Sequence, residues 1–464
     1  MPSIVGTLLL LSLALQACHA APEFHSNPFN ILDHLGSKGP YPISNRISSP
    51  IVLHATCKLA QIHVLARHGT RYPSNKESKR FIDLYALFSD AKIDHQHRWL
   101  RTWVNQYDPL KSNLLALAGD KDLYFLGKRL AARYNSFFRN STYNANIFEF
   151  RASDTSRSSQ SGSAFSIGLF EGDGPLGYSR IQPIFLYTIP KGIDRQLAMK
   201  HACPKWLKEG RINPFRDAQI DAFASLHLPA IAQRLNAQFP NLDLQPEHIS
   251  DIYSLCGYEA SFKGSTSTWC TLLQPPEVEA LEYIEDMDEY FSFSYGNPLN
   301  EFLACDLVTN LVTDIEALIS NNPAAKHGTF KFGHAETIKF LATLLNISHD
   351  DQPLLANATA QFICNRKYRT SQIVPFAANM VFEVLNCSNA GYKIRMMINE
   401  RPVAIPGCVG GESAKDAHAC PWETFRKLVS SKVGCDFQKV CALSTVKPLV
   451  TSNDDVTRMS LDRQ

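Results

Sequence analysis

Residues Lys58 to Ser74 read KLAQIHVLARHGTRYPS, and the two halves of that stretch differ in character. Through Ala66 the run is mostly apolar, the pattern of a buried strand. At its carboxyl end stand Arg67, His68, Gly69 and Arg71, where α/β sheets place their chemistry. Guanidinium groups on either side of a histidine disfavour the imidazolium, so His68 is expected to stay neutral and nucleophilic near neutral or mildly acidic pH. The same guanidiniums offer paired donors that match phosphoryl oxygens. A histidine nucleophile between arginine clamps points to phosphoryl transfer. A strand-end histidine in a solvated basic turn is the ordinary alternative for an isolated Arg-His, and Gly69, Arg71 and Pro73 weigh against it.

Working outward, GDKDLYFLGKRLAARYNSFF carries Leu123, Leu126, Leu130, Tyr134 and Phe137 at three- and four-residue spacing, with aspartates in its first turn. That is an amphipathic helix. IFEFRAS reads as a short strand ending in Arg151, and SRIQPIFLYTIP as a third strand. Ile193 to Ser320 is rich in helical patterns. GTFKFGHAETIKFLATLL then passes from a strand into a helix, with His334 and Glu336 at the turn, and two alternating runs around NCSNAG suggest a hairpin. No repeat or long linker appears, so a second domain is expected as an insertion tightly joined to the first.

A chain of 464 residues with 45% hydrophobic content has ample material for one large or two coupled domains. Its formal net charge of +2 leaves no global footprint for nucleic acid or an anionic membrane. The opening MPSIVGTLLLLSLALQACHAAPEF reads as a cleaved secretory signal over residues 1–20, because its apolar run falls short of the about 20 residues that span a bilayer. The polar tail, residues 446–464, lacks a GPI or KDEL-like ending. Secretion is favoured, with the endoplasmic reticulum or lysosome lumen left open.

Of twelve cysteines, Cys18 lies in the predicted signal, and the odd number remaining implies a free thiol. None of the spacings is that of a zinc site, so a disulfide framework is expected. Local loops Cys256/Cys270, Cys408/Cys420 and Cys435/Cys441 are candidates, although sequence does not fix connectivity. Sequons at Asn140, Asn346, Asn357 and Asn386 fit a lumenal chain.

RHGTRYP resembles the R-H-G-x-R-x-P signature of the histidine acid phosphatases. FRASDTSRSSQSG resembles that family's downstream R-x-[ST]-x-x-x-R segment, and GHAE its distal histidine-plus-acid motif. The resemblance implies a phosphohistidine intermediate on His68, phosphate binding by Arg67, Arg71, Arg151 and His334, and proton donation by Glu336. Arg157 is left outside that set, as a helix-surface or salt-bridged residue. The resemblance also implies a disulfide at Cys57, with Cys364 as partner, a buried free thiol being the alternative. No cofactor or metal is implied, since arginines supply the positive charge that the equatorial oxygens require.

The implied fold is a phosphoglycerate-mutase-like α/β domain with helices on both faces of a mainly parallel sheet, plus a smaller inserted domain, mostly α-helical. Residues 50–75, 112–192 and 322–445 are assigned to the catalytic domain, and 76–111 and 193–321 to the insertion. Where many members carry His-Asp, this chain has His-Ala-Glu, which resembles the multiple inositol polyphosphate phosphatase branch. Its implied substrates are inositol polyphosphates, including phytate, and 2,3-bisphosphoglycerate. A hexakisphosphate needs further basic side chains, for which Lys200 to Arg216, KHACPKWLKEGRINPFR, is the densest candidate run, or else a solvated face. A broad secreted acid phosphatase is the alternative enzyme. A non-catalytic anion binder is the third reading, and it has no use for both a nucleophile and an acid.

Overall fold

The computed structural model describes residues 29–42, 56–138, 142–172, 174–388, 390–408 and 418–443. The predicted signal, the tail and Asn140 lie outside the described residues. The expected first strand is β1 (Cys57–Arg67). It is followed by β2 (Phe148–Ser153), β3 (Leu186–Ile189), β4 (Gly328–Gly333), β5 (Asn379–Cys387), β6 (Gly391–Ile398), β7 (Arg401–Val403) and β8 (Ala419–Pro421). Their order is β3-β2-β4-β1-β5-β6-β7, with β8 beside β6. The first four form a parallel block. The expected hairpin, β5 and β6, extends it antiparallel from β1.

The labelled helices are α1 (Asn75–Ala86), α2 (Leu117–Arg133), α3 (Ser156–Phe170), α4 (Pro214–Gln238), α5 (Pro246–Lys263), α6 (Pro275–Phe293), α7 (Cys305–Ile319), α8 (Ala335–Leu344) and α9 (Trp422–Val429). Side chains alternate across a strand, and β1 divides accordingly. Ile62, Val64 and Ala66 pack with Leu123, Leu126 and Leu130 of α2 and Phe165 of α3. Leu65 packs in the cluster that holds Leu307 and Leu311 of α7 and Ile338 of α8. Burial on both faces explains the nearly unbroken apolar run. Helix α2 ends at Arg133, short of the expected reach to Phe137, because Tyr134 leaves helical geometry as its C-cap.

A third core joins Phe81 and Leu84 of α1 to Ile231 and Leu235 of α4, Ile252 and Leu255 of α5, and Leu281 of α6. Helix α7, which the sequence reading assigns to the insertion, instead packs against the sheet, because Leu307, Val308 and Leu311 turn their faces to it.

Disulfides join Cys57–Cys387, Cys203–Cys441, Cys256–Cys270, Cys305–Cys435 and Cys408–Cys420. Two expected local loops are present and two expectations are corrected. Cys57 pairs with Cys387 rather than Cys364, because the antiparallel register of β1 and β5 sets the two directly opposite. Cys435 and Cys441 do not pair with each other: the turn Phe437–Val440 separates them, and each staples its segment to a different partner. Cys364 is disulfide-bonded as well, and the expected free thiol is not found among the described residues. Asn346, Asn357 and Asn386 are exposed. Among the described residues, no helix is long and apolar enough to cross a membrane.

Candidate active site

Three neighbouring parallel strands deliver the site. In register, Arg67 of β1 lies opposite Gly333 of β4, and Phe332 of β4 opposite Ala152 of β2. His68 and His334, which follow, therefore leave the sheet at one level, with Ser153, the last residue of β2, one step earlier beside them. His68 donates its backbone N–H to the Gly333 carbonyl at 3.1 Å and accepts from the Ala377 N–H at 3.1 Å. Gly69 is required by close approach, since a Cβ there would lie 2.3 Å from the Gly119 carbonyl oxygen at the start of α2. The next residue is held as well, because Asp122 accepts from both the N–H and the hydroxyl of Thr70.

His68 is buried, and its Nδ1–H donates to the Gly69 carbonyl at 2.9 Å. That contact fixes the tautomer and leaves the Nε2 lone pair free. Burial first, then the charges of Arg67 and Arg157 and the neighbouring His334, hold its pKa well below the usual histidine range. The sequence reading named Arg67 and Arg71 as the charges responsible. Burial is the larger cause, and Arg157 takes the place given to Arg71.

Arg67 Nη1 donates to the carbonyls of Ser37 and Val374, both at 2.5 Å, and the guanidinium lies 4.4 Å from the Phe376 ring centroid. Burial and the charge of Arg71 push its pKa down to about 9. Arg71 is partly exposed and donates to the Tyr72 carbonyl at 2.8 Å and the Tyr258 hydroxyl at 3.1 Å, with Glu77 at 3.8 Å. Arg157 projects from the first turn of α3 and reaches His334 Nδ1 at 3.4 Å. Burial and Arg71 lower its pKa to about 10. Among the described residues, Arg67 Nε and Arg157 Nε have no hydrogen-bond partner. Guanidinium groups buried this way favour an arriving anion.

His334 begins α8 and shares a 3.0 Å hydrogen bond between Nε2 and the Ser153 hydroxyl. Its ring stands edge-on to His68, with centroids 5.7 Å apart. Burial lowers its pKa to about 3 against the pull of Glu336. Glu336, in the first turn of α8, forms an ion pair with Lys200 Nζ at 2.8 Å. Burial alone would raise the Glu336 pKa, but Lys200 and His334 outweigh it and hold the carboxyl well below its usual range.

The structure thus brings together His68, Arg67, Arg71, His334 and Glu336, and does not bring Arg151 among them. Arg151 lies inside β2, two residues before the strand ends, so its side chain pairs with Asp194 and donates to Gln196 Oε1 at 3.0 Å. The guanidinium at the site is Arg157, the second arginine of the same segment. Its place just past a strand's carboxyl end was the available signal. Ser153 and Lys200 were also missed as site residues: Ser153 is the [ST] of the R-x-[ST]-x-x-x-R segment and Lys200 opens the basic run offered for substrate binding, yet only the fold brings the one to His334 and the other to Glu336.

Residues 58–399 match the family model "Histidine phosphatase superfamily (branch 2)", and the chain belongs to that family of phosphate ester hydrolases. It is 28% identical over 444 residues to multiple inositol polyphosphate phosphatase 1 of Gallus gallus, covering 91% of this chain and 92% of that protein. The protein of the same name from Dictyostelium discoideum is 27% identical over 428 residues, 80% of this chain and 66% of the relative. In three dimensions the chain is similar to the phytase from D. castellii, with a TM-score of 0.73, 19% identity and 91% of each chain covered. It is also similar to Bifidobacterium longum multiple inositol polyphosphate phosphatase in complex with inositol hexasulfate, with a TM-score of 0.67 and 16% identity over 86% of this chain and 98% of that one.

Proposed function

We propose that this protein hydrolyses phosphomonoesters of inositol polyphosphates, phytate among them, through a phosphohistidine on His68. The carrying observation is a buried imidazole, held toward its neutral form, whose Nδ1–H is tied to the Gly69 carbonyl and whose charged neighbours are Arg67 and Arg157. The arginines receive the equatorial oxygens of the phosphoryl group and offset the charge that develops on them. His68 Nε2 forms the new P–N bond as the ester P–O bond breaks. The leaving alkoxide takes a proton from the Glu336 carboxylic acid. Water then attacks phosphorus, the P–N bond breaks, and the Glu336 carboxylate accepts the water's proton. His334 binds a phosphate oxygen beside Arg157. Relatives named as inositol polyphosphate phosphatases, and a similar fold holding inositol hexasulfate, support the substrate class. 2,3-Bisphosphoglycerate, with phosphates on neighbouring carbons, is the further substrate of this reading.

The disulfide framework fits an oxidising compartment, and we assign the protein to the secretory pathway with secretion as its destination. The function is tested by assaying the purified protein on phytate and on an aryl phosphate without added metal, beside His68→Ala and Glu336→Gln. His68→Ala should abolish both activities, and undiminished turnover would sink the mechanism. Glu336→Gln should slow phytate far more than the aryl ester, whose good leaving group needs no proton. A clear preference of the wild type for the aryl ester would favour a broad acid phosphatase instead.

A further inference from the structure

The acid assigned to protonate the leaving group is held in the free protein by a cation. Lys200 Nζ lies 2.8 Å from Glu336 Oε1, and both side chains are about one-fifth exposed, at 20% and 21%. The lysine sits in the short helix Met199–Ala202, with its ammonium 5.0 Å from the Phe293 ring centroid and 5.7 Å from that of Trp206. Lys339 lies 4.3 Å from the same Phe293 ring, but it is buried and bound to Glu289. Lys200 is therefore the partly exposed cation of this pair, on an aromatic track along which a cation can move at little loss.

We propose that Lys200 is a substrate-sensing positioning residue: it holds the Glu336 carboxylate until a second phosphate of the same substrate draws the ammonium away and frees Glu336 to carry a proton. The inference rests on the reading of Glu336 as proton donor given above. An ammonium has three donors, and a phosphate dianion is a stronger partner than one carboxylate oxygen. The groups that face Glu336 are Lys200, His334, Arg67, Arg157 and His201, with Lys191 beyond the histidines. The two arginines are engaged by the phosphate under attack and keep their charge, which leaves the lysine as the cation that can be exchanged. When it departs, Glu336 takes a proton from solvent. It passes that proton to the alkoxide as the P–O bond breaks and recovers one from the water that cleaves the phosphohistidine. A monophosphate has nothing with which to recruit Lys200, so it meets an ionised Glu336 and turns over slowly.

The test compares wild type, Lys200→Met and Lys200→Arg on myo-inositol hexakisphosphate, glycerol 2-phosphate and p-nitrophenyl phosphate across pH. Methionine keeps the apolar stem over Phe293 and Trp206 without the charge. The urea midpoint of Lys200→Met reports an intact fold, and its aryl ester kcat, which reports His68 chemistry, should change far less than the other two. Glycerol 2-phosphate should gain kcat, and the basic limb of its pH profile should move up by about one unit, the shift that loss of one close opposite charge produces. The hexakisphosphate should lose its advantage, so that the ratio of its kcat to that of glycerol 2-phosphate falls about tenfold, matching a one-unit change in protonated fraction. Lys200→Arg should keep the wild-type pattern. A parallel fall for the hexakisphosphate and glycerol 2-phosphate, with unmoved pH limbs and the aryl ester unaffected, would overturn the sensing role and leave Lys200 as a simple binding contact. Failure of the underlying function looks different: the wild type would then show no His68-dependent turnover of the aryl ester, and both readings would fall.

Discussion

Replacing Arg157 by alanine should cost catalysis and spare the fold, whereas Arg151→Ala should do the reverse. The arginines are six residues apart in one segment, yet their surroundings differ. Arg151 and Asp194 form an ion pair with side chains only 5% and 0% exposed. Removing one partner of such a pair leaves a buried charge uncompensated, at about 3–5 kcal/mol. Asp194 Oδ1 still accepts from the Gln196 and Leu197 N–H groups when the arginine is gone, which places the loss toward the lower end of that range. Arg157 has no comparable partner, and burial already disfavours its charge. Its removal should leave stability level or slightly raised. In catalysis it stands as one fixed donor to the phosphoryl oxygens, and losing such a donor lowers kcat by about 100- to 1,000-fold. Urea unfolding midpoints and aryl phosphate kinetics on folded protein separate the two effects. Arg151→Met combined with Asp194→Asn should recover most of the stability, because neither charge remains. A stable but inactive Arg151→Ala beside an active Arg157→Ala would refute this assignment.

Acid should weaken the fold through its buried histidines. Burial lowers the pKa of His63 and His334 to about 3 each in the folded state, against about 6.5 in the unfolded chain. The unfolded state thus binds more protons across that window, so stability is fully present above pH 6.5 and declines as pH falls toward 3. Asp122, raised to about 6 by burial, works in the opposite sense and offsets part of the loss. Urea midpoints at pH 7 and pH 4.5 should differ in this direction, with a smaller difference in His63→Gln; equal midpoints would contradict it. Cys57→Ser should lower stability by about 2–5 kcal/mol, because the bond closes a span of 330 residues. Denaturation under non-reducing conditions measures the loss, and an unchanged midpoint would show that the sheet alone fixes that edge.

The sequence was most informative where one residue type has one physical use. The apolar run along Lys58 to Ala66 gave the central strand and, at its carboxyl end, the position of His68, and the strand-to-helix turn after Gly333 gave that of His334. It was least informative where the outcome depends on which way a side chain turns. Arg151 and Arg157 both satisfy the same spacing, and a difference of two residues in where β2 ends decides which one reaches the phosphate site. Cys57 found its partner through strand register, a property of pairing between distant segments that no local pattern encodes. Lys200 stood in a basic run that reads more readily as a solvated face, and its contact with Glu336 exists only after the 135 residues between them have folded.

The two carbonyls on Arg67 belong to residues 30 positions before it and 307 after it. The earlier segment is itself pinned to α6, through His34 on Glu282 and Ser37 on Glu285. A nascent chain that has emitted its nucleophile carries the Ser37 arm of the bracket but still lacks the helix that pins it and the Val374 arm. Turnover is therefore a count of finished molecules: a complete chain nicked near Ser37 should keep its sheet and be silent in the assay.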